Sequence, residues 1–171
     1  ELLRGEVEAI DPERRSVRVD GRELQGDFMV IALGARLAPE QVPGLASAGI
    51  SFYDLEGALA ARTARQGFTQ GRLAILVAAM PFKCPAAPYE TAMLLEYDAR
   101  KRHVRDRIEI ALYTPEPGPM PVAGPGMSAG VQNLLEERGI LYHPRPRIAE
   151  VDAVGKELLF AKQLRNKAQA C

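Results

Sequence analysis

The side chains best suited to covalent chemistry are a lysine and a cysteine side by side, Lys83 and Cys84, within PFKCPAAPYE at Pro81–Glu90. The thiolate is the reactive form of cysteine, and a neighbouring ammonium and the positive end of a helix both favour it over the thiol. The apolar run Leu73–Ala79 ahead of this stretch reads as a parallel strand buried on both faces. Behind it, the residues from Ala86 or Pro88 to about His103 read as a helix. Proline is tolerated in its first turn, and Arg100, Lys101, Arg102 and His103 suit its negative end. Cys84 is thus expected in a strand-to-helix turn, where open α/β sheets place their ligands. Pro81, Pro85 and Pro88 lack backbone donors and restrict the residues before them, which makes the turn rigid. The alternative is a cysteine packed as a small buried hydrophobe.

Other chemistry finds less support. A dinucleotide-binding turn needs glycines to admit a pyrophosphate, and none lies between Arg72 and Tyr113, so a nicotinamide cofactor is not expected to bind here in the usual way. Glu116 could have been the acidic ribose ligand of such a fold, but without that turn it is not assigned the role. His103 sits in a basic helix end and His143 beside prolines, and neither is given a catalytic part. Cys84 and Cys171 are far apart in sequence, which suggests neither a disulfide framework nor a metal site.

The elements that must position Cys84 follow from periodicity. Glu6–Ile10, Ser16–Val19 and Phe28–Leu33 read as three strands, with the hairpin dipeptide Asp20-Gly21 after the second and a glycine break at Gly34 after the third. Pro39–Gly49 has the composition of a boundary, and Asp54 is a plausible N-cap for a helix to about Gln66, with Gly67 at C′. Arg107–Tyr113 supplies a sheet partner, completing a βαβ unit with the central strand. The loop Thr114–Gly126 holds five prolines and three glycines. It should meet Cys84 at the carboxyl edge of the sheet. Met127, Val131, Leu134 and Leu135 line one face of a further helix, with Gly139 at its C′ position, and a strand follows at Ile140–Tyr142. Arg147–Phe160 echoes Glu6–Val19: strand, Asp, turn, strand.

PFKCPAAPYE, together with YTPEPGPMPVAG, DFMVIALGA and VPGL, resembles the sulfide:quinone oxidoreductase branch of the FAD-dependent pyridine nucleotide-disulfide oxidoreductase superfamily, from about Gly5 to Phe160. The resemblance implies an α/β fold, a Rossmann-like parallel sheet domain flanked by antiparallel β-meander segments, as in two-dinucleotide-domain flavoproteins. It divides the chain into residues 1–47, the end of a flavin-binding domain; 48–146, a second nucleotide-type domain carrying the Cys84 loop; and 147–171, a partial second meander with an atypical tail. It implies that Cys84, beside Lys83, is a sulfur-carrying redox thiol. Ala32, Gly34 and Ala35 would form the turn against the flavin nucleotide. Sulfide would be the donor and a quinone the acceptor. The chain has no G-x-G-x-x-G, and the family's second carrier cysteine and membrane-docking carboxyl end are not matched. The expectation is a fragment or truncated relative that neither holds FAD nor acts alone. Two other readings stay open: a non-enzymatic α/β interaction module with an inert Cys84, and an NAD(P)H-dependent flavoprotein reductase domain, disfavoured by the missing glycines.

Composition sets the outer bounds. With 47% hydrophobic residues and a formal net charge of zero, the chain can bury a core and shows no bias toward nucleic acid. No apolar run approaches the roughly 20 residues that span a bilayer, and no signal peptide is evident, so the default location is cytoplasmic, with peripheral membrane association in full-length relatives. A severed domain face would leave an apolar patch that a second copy could cover, which admits a homodimer.

Overall fold

A computed structural model describes residues 2–161. The chain forms two compact units, Glu1–Arg36 and Leu37–Cys171. The atypical tail beyond Ala161, with Cys171, lies outside the described residues.

The first unit is an antiparallel sheet of β1 (Val7–Asp11), β2 (Ser16–Val19) and β3 (Arg22–Gln25), in that order. Asp20 and Gly21 both take positive φ, 47° and 74°, the turn that matches the twist of a two-residue hairpin. That reversal corrects the expected third strand. The chain turns back at once, so Arg22–Gln25 pairs with β2, and Phe28–Leu33 enters no sheet among the described residues. Phe28 and Val30 are accordingly 92% and 89% exposed.

The second unit opens with a short helix, α1 (Leu45–Ala48), preceded by Gly44 at φ 76°. A Cβ there would stand 1.9 Å from the carbonyl oxygen of Val151, so only glycine admits this approach. Helix α2 (Leu55–Gly67) begins at Asp54, whose carboxylate accepts from the Gly57 amide at 2.7 Å, the expected N-cap. Gly67 is the last helical residue rather than C′, and Phe68 caps the end. Then β4 (Gly71–Leu76), α3 (Ala87–Lys101), β5 (Ile108–Thr114), α4 (Pro125–Glu137) and β6 (Leu141–Pro144) alternate, and the three strands form a parallel sheet in the order β4-β5-β6.

Both crossover helices contribute to one core. Tyr89, Ala92 and Ala99 of α3 and Val131 and Leu135 of α4 pack with Ile75, Ile110 and Leu112. Strand β4 is therefore not buried on both faces, although its apolar run predicts that it should be. Ala74 and Glu109 are exposed and Leu141 is 45% exposed, because the crossover helices cover one side of the sheet. On α4, Val131 and Leu135 are buried while Met127 stays largely exposed.

Each crossover helix stops in the same way. The amides of Ile140 and Gly139 donate to the carbonyls of Leu135 and Glu136 after α4, and those of Val104 and His103 donate to Ala99 and Arg100 after α3. This paired closure requires a left-handed residue at C′. Gly139 supplies it at φ 62° and His103 at φ 57°.

The unit ends in the hairpin β7 (Ile148–Asp152) and β8 (Glu157–Phe160). Its pairing repeats β1 and β2 closely: an irregularity two residues into the first strand, an Asp whose carboxylate caps the turn, and a left-handed residue before the second strand. The echo between head and tail is thus structural as well as sequential.

Candidate functional site

Cys84 lies between β4 and α3, exposed, three residues before the helix begins. Its backbone is the unexpected feature. A residue before proline is pushed toward extended conformations, yet Cys84, ahead of Pro85, has φ 50°. The left-handed region costs a side-chain-bearing residue about 1–2 kcal/mol. Two hydrogen bonds flank it. The Ala87 amide donates to the Cys84 carbonyl at 3.0 Å, and the Tyr53 hydroxyl donates to the Lys83 carbonyl at 2.7 Å. Lys83 itself is half-buried.

Tyr53, which contacts the Cys84 turn through that bond to the Lys83 carbonyl, is a residue that sequence reasoning does not single out. It precedes the Asp54 cap of α2, and its ring stacks on Phe52 with centroids 5.1 Å apart. Burial, and after it the nearby charge of Cys84, push its hydroxyl above the ordinary tyrosine value. An aromatic at the position before an N-cap was the available signal.

A second contact ties the start of α3 to the proline-rich loop. The Tyr89 hydroxyl donates to Glu116 Oε2 at 2.5 Å, and Thr114 Oγ1 donates to the same oxygen at 3.1 Å. Tyr89, Thr114 and Glu116 are each at most 2% exposed. Burial first, and then the bond to Glu116, hold the Tyr89 phenol well above the ordinary tyrosine range. Tyr142 lies against Tyr89 with its hydroxyl buried, and burial raises its value as well. Glu116 is thereby engaged inside the fold. The loop approaches the start of α3: Ala86, Tyr89, Met93, Met120 and Val131 line an apolar groove of about 280 Å3, and Cys84, the loop's expected neighbour, is not among the residues that line it.

The opposite edge carries a charged cluster. Glu96, 2% exposed, forms an ion pair with Arg100, whose Nε lies 2.8 Å from Oε1, with Arg105 Nε at 3.6 Å from the same oxygen. Among the described residues, Glu96 Oε2 is buried without a partner. Arg105 also donates to the carbonyls of Ile108, Arg138 and Gly139 at 2.8–2.9 Å. His143 stacks on Tyr113 with centroids 4.5 Å apart. Among the described residues, no three His, Cys, Asp or Glu side chains converge as a metal site would require.

Ala32, Gly34 and Ala35 belong to the first unit, all exposed, with Gly34 at φ 70°. Nothing lies within 4 Å of where a Gly34 Cβ would stand. These residues form an open, exposed turn.

No family model matches the chain. The sulfide-quinone reductase of Aquifex aeolicus is 30% identical over 145 residues, covering 82% of this chain and 34% of that protein. The mitochondrial sulfide:quinone oxidoreductase of Mus musculus is 25% identical over 165 residues, covering 92% of this chain and 36% of its own length. The solved Aquifex aeolicus enzyme superposes with a TM-score of 0.64 at 21% identity, over 92% of this chain and 39% of that one. A ferredoxin reductase of Rhodopseudomonas palustris does so at 0.59 and 19% identity, over 95% and 38%. The chain spans about a third of the length of the curated relatives it matches. A parallel sheet crossed by two helices, repeated antiparallel hairpins and this sequence likeness together place the chain in the sulfide:quinone oxidoreductase branch of the pyridine nucleotide-disulfide oxidoreductase superfamily.

Proposed function

We propose that this chain is the thiol-bearing part of an FAD-dependent sulfide:quinone-type oxidoreductase, with Cys84 the sulfur-carrying residue and Lys83 its cationic neighbour. The observation that carries the reading is an exposed thiol on a residue kept in a left-handed conformation ahead of a proline. Packing gives no reason for a cysteine there, and glycine would relieve the backbone, so retained strain points to use of the sulfur. A buried structural cysteine, the competing interpretation, would not be exposed.

Chemically, Cys84 would join a disulfide with a second thiol from outside the described residues. Hydrosulfide attacks one sulfur, the S–S bond breaks, one thiol leaves as thiolate, and the other carries the added sulfur as a persulfide. The electrons this leaves on the thiolate require an acceptor. In the full-length protein that acceptor would be a flavin and then a quinone. Ala32, Gly34 and Ala35 would border the flavin nucleotide in that protein, and the separate chain is expected to be inactive. The seat of the complete enzyme would be cytoplasmic or at a membrane surface; no described helix is long and apolar enough to cross a membrane. The exposed run Phe28–Leu33 is a face that a homodimer could cover.

The test is site-resolved thiol chemistry on the whole chain. Polysulfide treatment followed by mass spectrometry should find a persulfide on the Cys84 peptide, and iodoacetamide should modify Cys84 faster than the same peptide excised from the protein. A Cys84 that reacts more slowly than its excised peptide, and takes up no sulfur, would overturn the reading.

A further inference from the structure

We infer that Tyr53 is a positioning residue for Cys84: its hydroxyl, bound to the Lys83 carbonyl, holds the peptide that delivers the thiol in its left-handed, presented conformation. The inference rests on the proposed role of Cys84 and adds a residue outside the PFKCPAAPYE stretch.

Left to itself, the turn would take a different shape. Pro85 biases Cys84 toward extended backbone, and the left-handed alternative is disfavoured for any residue with a Cβ. The observed φ of 50° therefore has to be imposed from outside the dipeptide. Of the two flanking bonds, Ala87 to Cys84 is local and belongs to the helix start. The other comes from 30 residues away in sequence, from the segment that leads into α2. A phenol donating to a carbonyl at 2.7 Å fixes the plane of the Lys83–Cys84 peptide, which includes the nitrogen about which φ of Cys84 turns.

Tyr53 is itself well anchored. Its ring stacks on Phe52, and the next residue caps α2. The hydroxyl remains a donor while the thiol ionises, since burial and the nearby sulfur charge both raise its pKa rather than lower it. The rigid part of the device is thus a helix start on one side and a single hydroxyl on the other.

Tyr53→Phe removes the hydroxyl and keeps the stacking ring, so the experiment isolates the hydrogen bond. In a Cys171→Ser background, the iodoacetamide rate at Cys84 should fall about five-fold, which is about 1 kcal/mol at roughly 1.4 kcal/mol per tenfold, with far-UV circular dichroism unchanged. In a Pro85→Ala background, where the extended bias of residue 84 is lifted, the same substitution should cost less. A merely structural Tyr53 would lower the melting temperature without separating the two backgrounds. A Cys84 that is fast in the parent and equally fast in Tyr53→Phe overturns the positioning role and leaves the thiol reading intact. A Cys84 slow in the parent defeats the thiol reading first, and an undiminished loss in the Pro85→Ala background rules out the conformational mechanism.

Discussion

Two glutamates are buried to the same degree at opposite edges of the parallel sheet, and they are satisfied by opposite means. Glu116, just beyond the carboxyl end of β5, takes hydrogen bonds from two neutral hydroxyls, those of Tyr89 and Thr114. Glu96, at the amino edge, is held by the guanidinium groups of Arg100 and Arg105, and one of its oxygens is left without a partner among the described residues. The first arrangement fixes a loop and a helix start without bringing positive charge to the buried site. The second ties helix, strand and loop backbone together through Arg105, whose donors reach three main-chain carbonyls. The difference assigns the edges different work: the arginine cluster fastens the ends of α3 and α4 to the strand between them, and the hydroxyl cluster fastens the start of α3 to the proline-rich loop.

The largest effect expected from that contrast is at Arg105. Arg105→Ala removes a partner from a buried carboxylate and uncaps the end of α4, and breaking a buried pair costs about 3–5 kcal/mol. At about 2–4 °C per kcal/mol for a chain of this size, the melting temperature should drop by on the order of 10 °C. A loss under about 1 kcal/mol, less than one typical hydrogen bond contributes, would mean that Glu96 and Arg105 do not fasten this edge.

Tyr89→Phe should cost less, about 1–3 kcal/mol, because Glu116 keeps Thr114 but loses its shorter bond. It should also change the alkaline limb of the stability curve. The Tyr89 phenol is raised above its unfolded value of about 10, so below that pH both states hold the proton. Above it the unfolded chain releases the proton while the folded one keeps it, and stability falls with rising pH, by about 1.4 kcal/mol per pH unit for each such phenol. Tyr142 adds a second contribution of the same sign. Urea titrations from about pH 9 to 11, spanning the unfolded phenol's titration, should show a shallower decline in Tyr89→Phe; an equal slope would place the Tyr89 proton outside the folding equilibrium.

The same contrast explains what can be read from the sequence. Parallel strands, crossover helices, the Asp54 cap and the duplicated hairpin are legible because each is set by local periodicity or by one residue at one position. The third strand of the first unit falls elsewhere than expected because an apolar run signals burial without naming the partner, and the Asp20-Gly21 turn hands the pairing to Arg22–Gln25 instead. The place of Cys84 in a strand-to-helix turn is legible, but its left-handed backbone is not. Pro85 argues against that conformation, and the opposing bond comes from Tyr53, remote in sequence. The missing glycines speak against a ribose-binding Glu116, yet its actual partners depend on how α3 lies over β5, which no spacing reveals.

The smallest effect is the sharpest test of the division between edges. Helix α3 has a left-handed, non-glycine residue near each end, Cys84 before it and His103 after it. His103 serves as a helix stop, where its imidazole is assigned nothing, so His103→Gly should raise stability by about 1 kcal/mol over His103→Ala and leave thiol chemistry untouched. Cys84→Gly should gain a similar amount over Cys84→Ala, since both lack the sulfur and differ in what the backbone tolerates. Chemical denaturation of the four variants measures this directly. If glycine and alanine are equivalent at 84 while differing at 103, the Cys84 turn stores no strain, and its sulfur is exposed for want of covering rather than held in place. If both positions favour glycine, the two ends of one helix carry the same backbone cost, and the amino end bears it for a residue whose side chain can react.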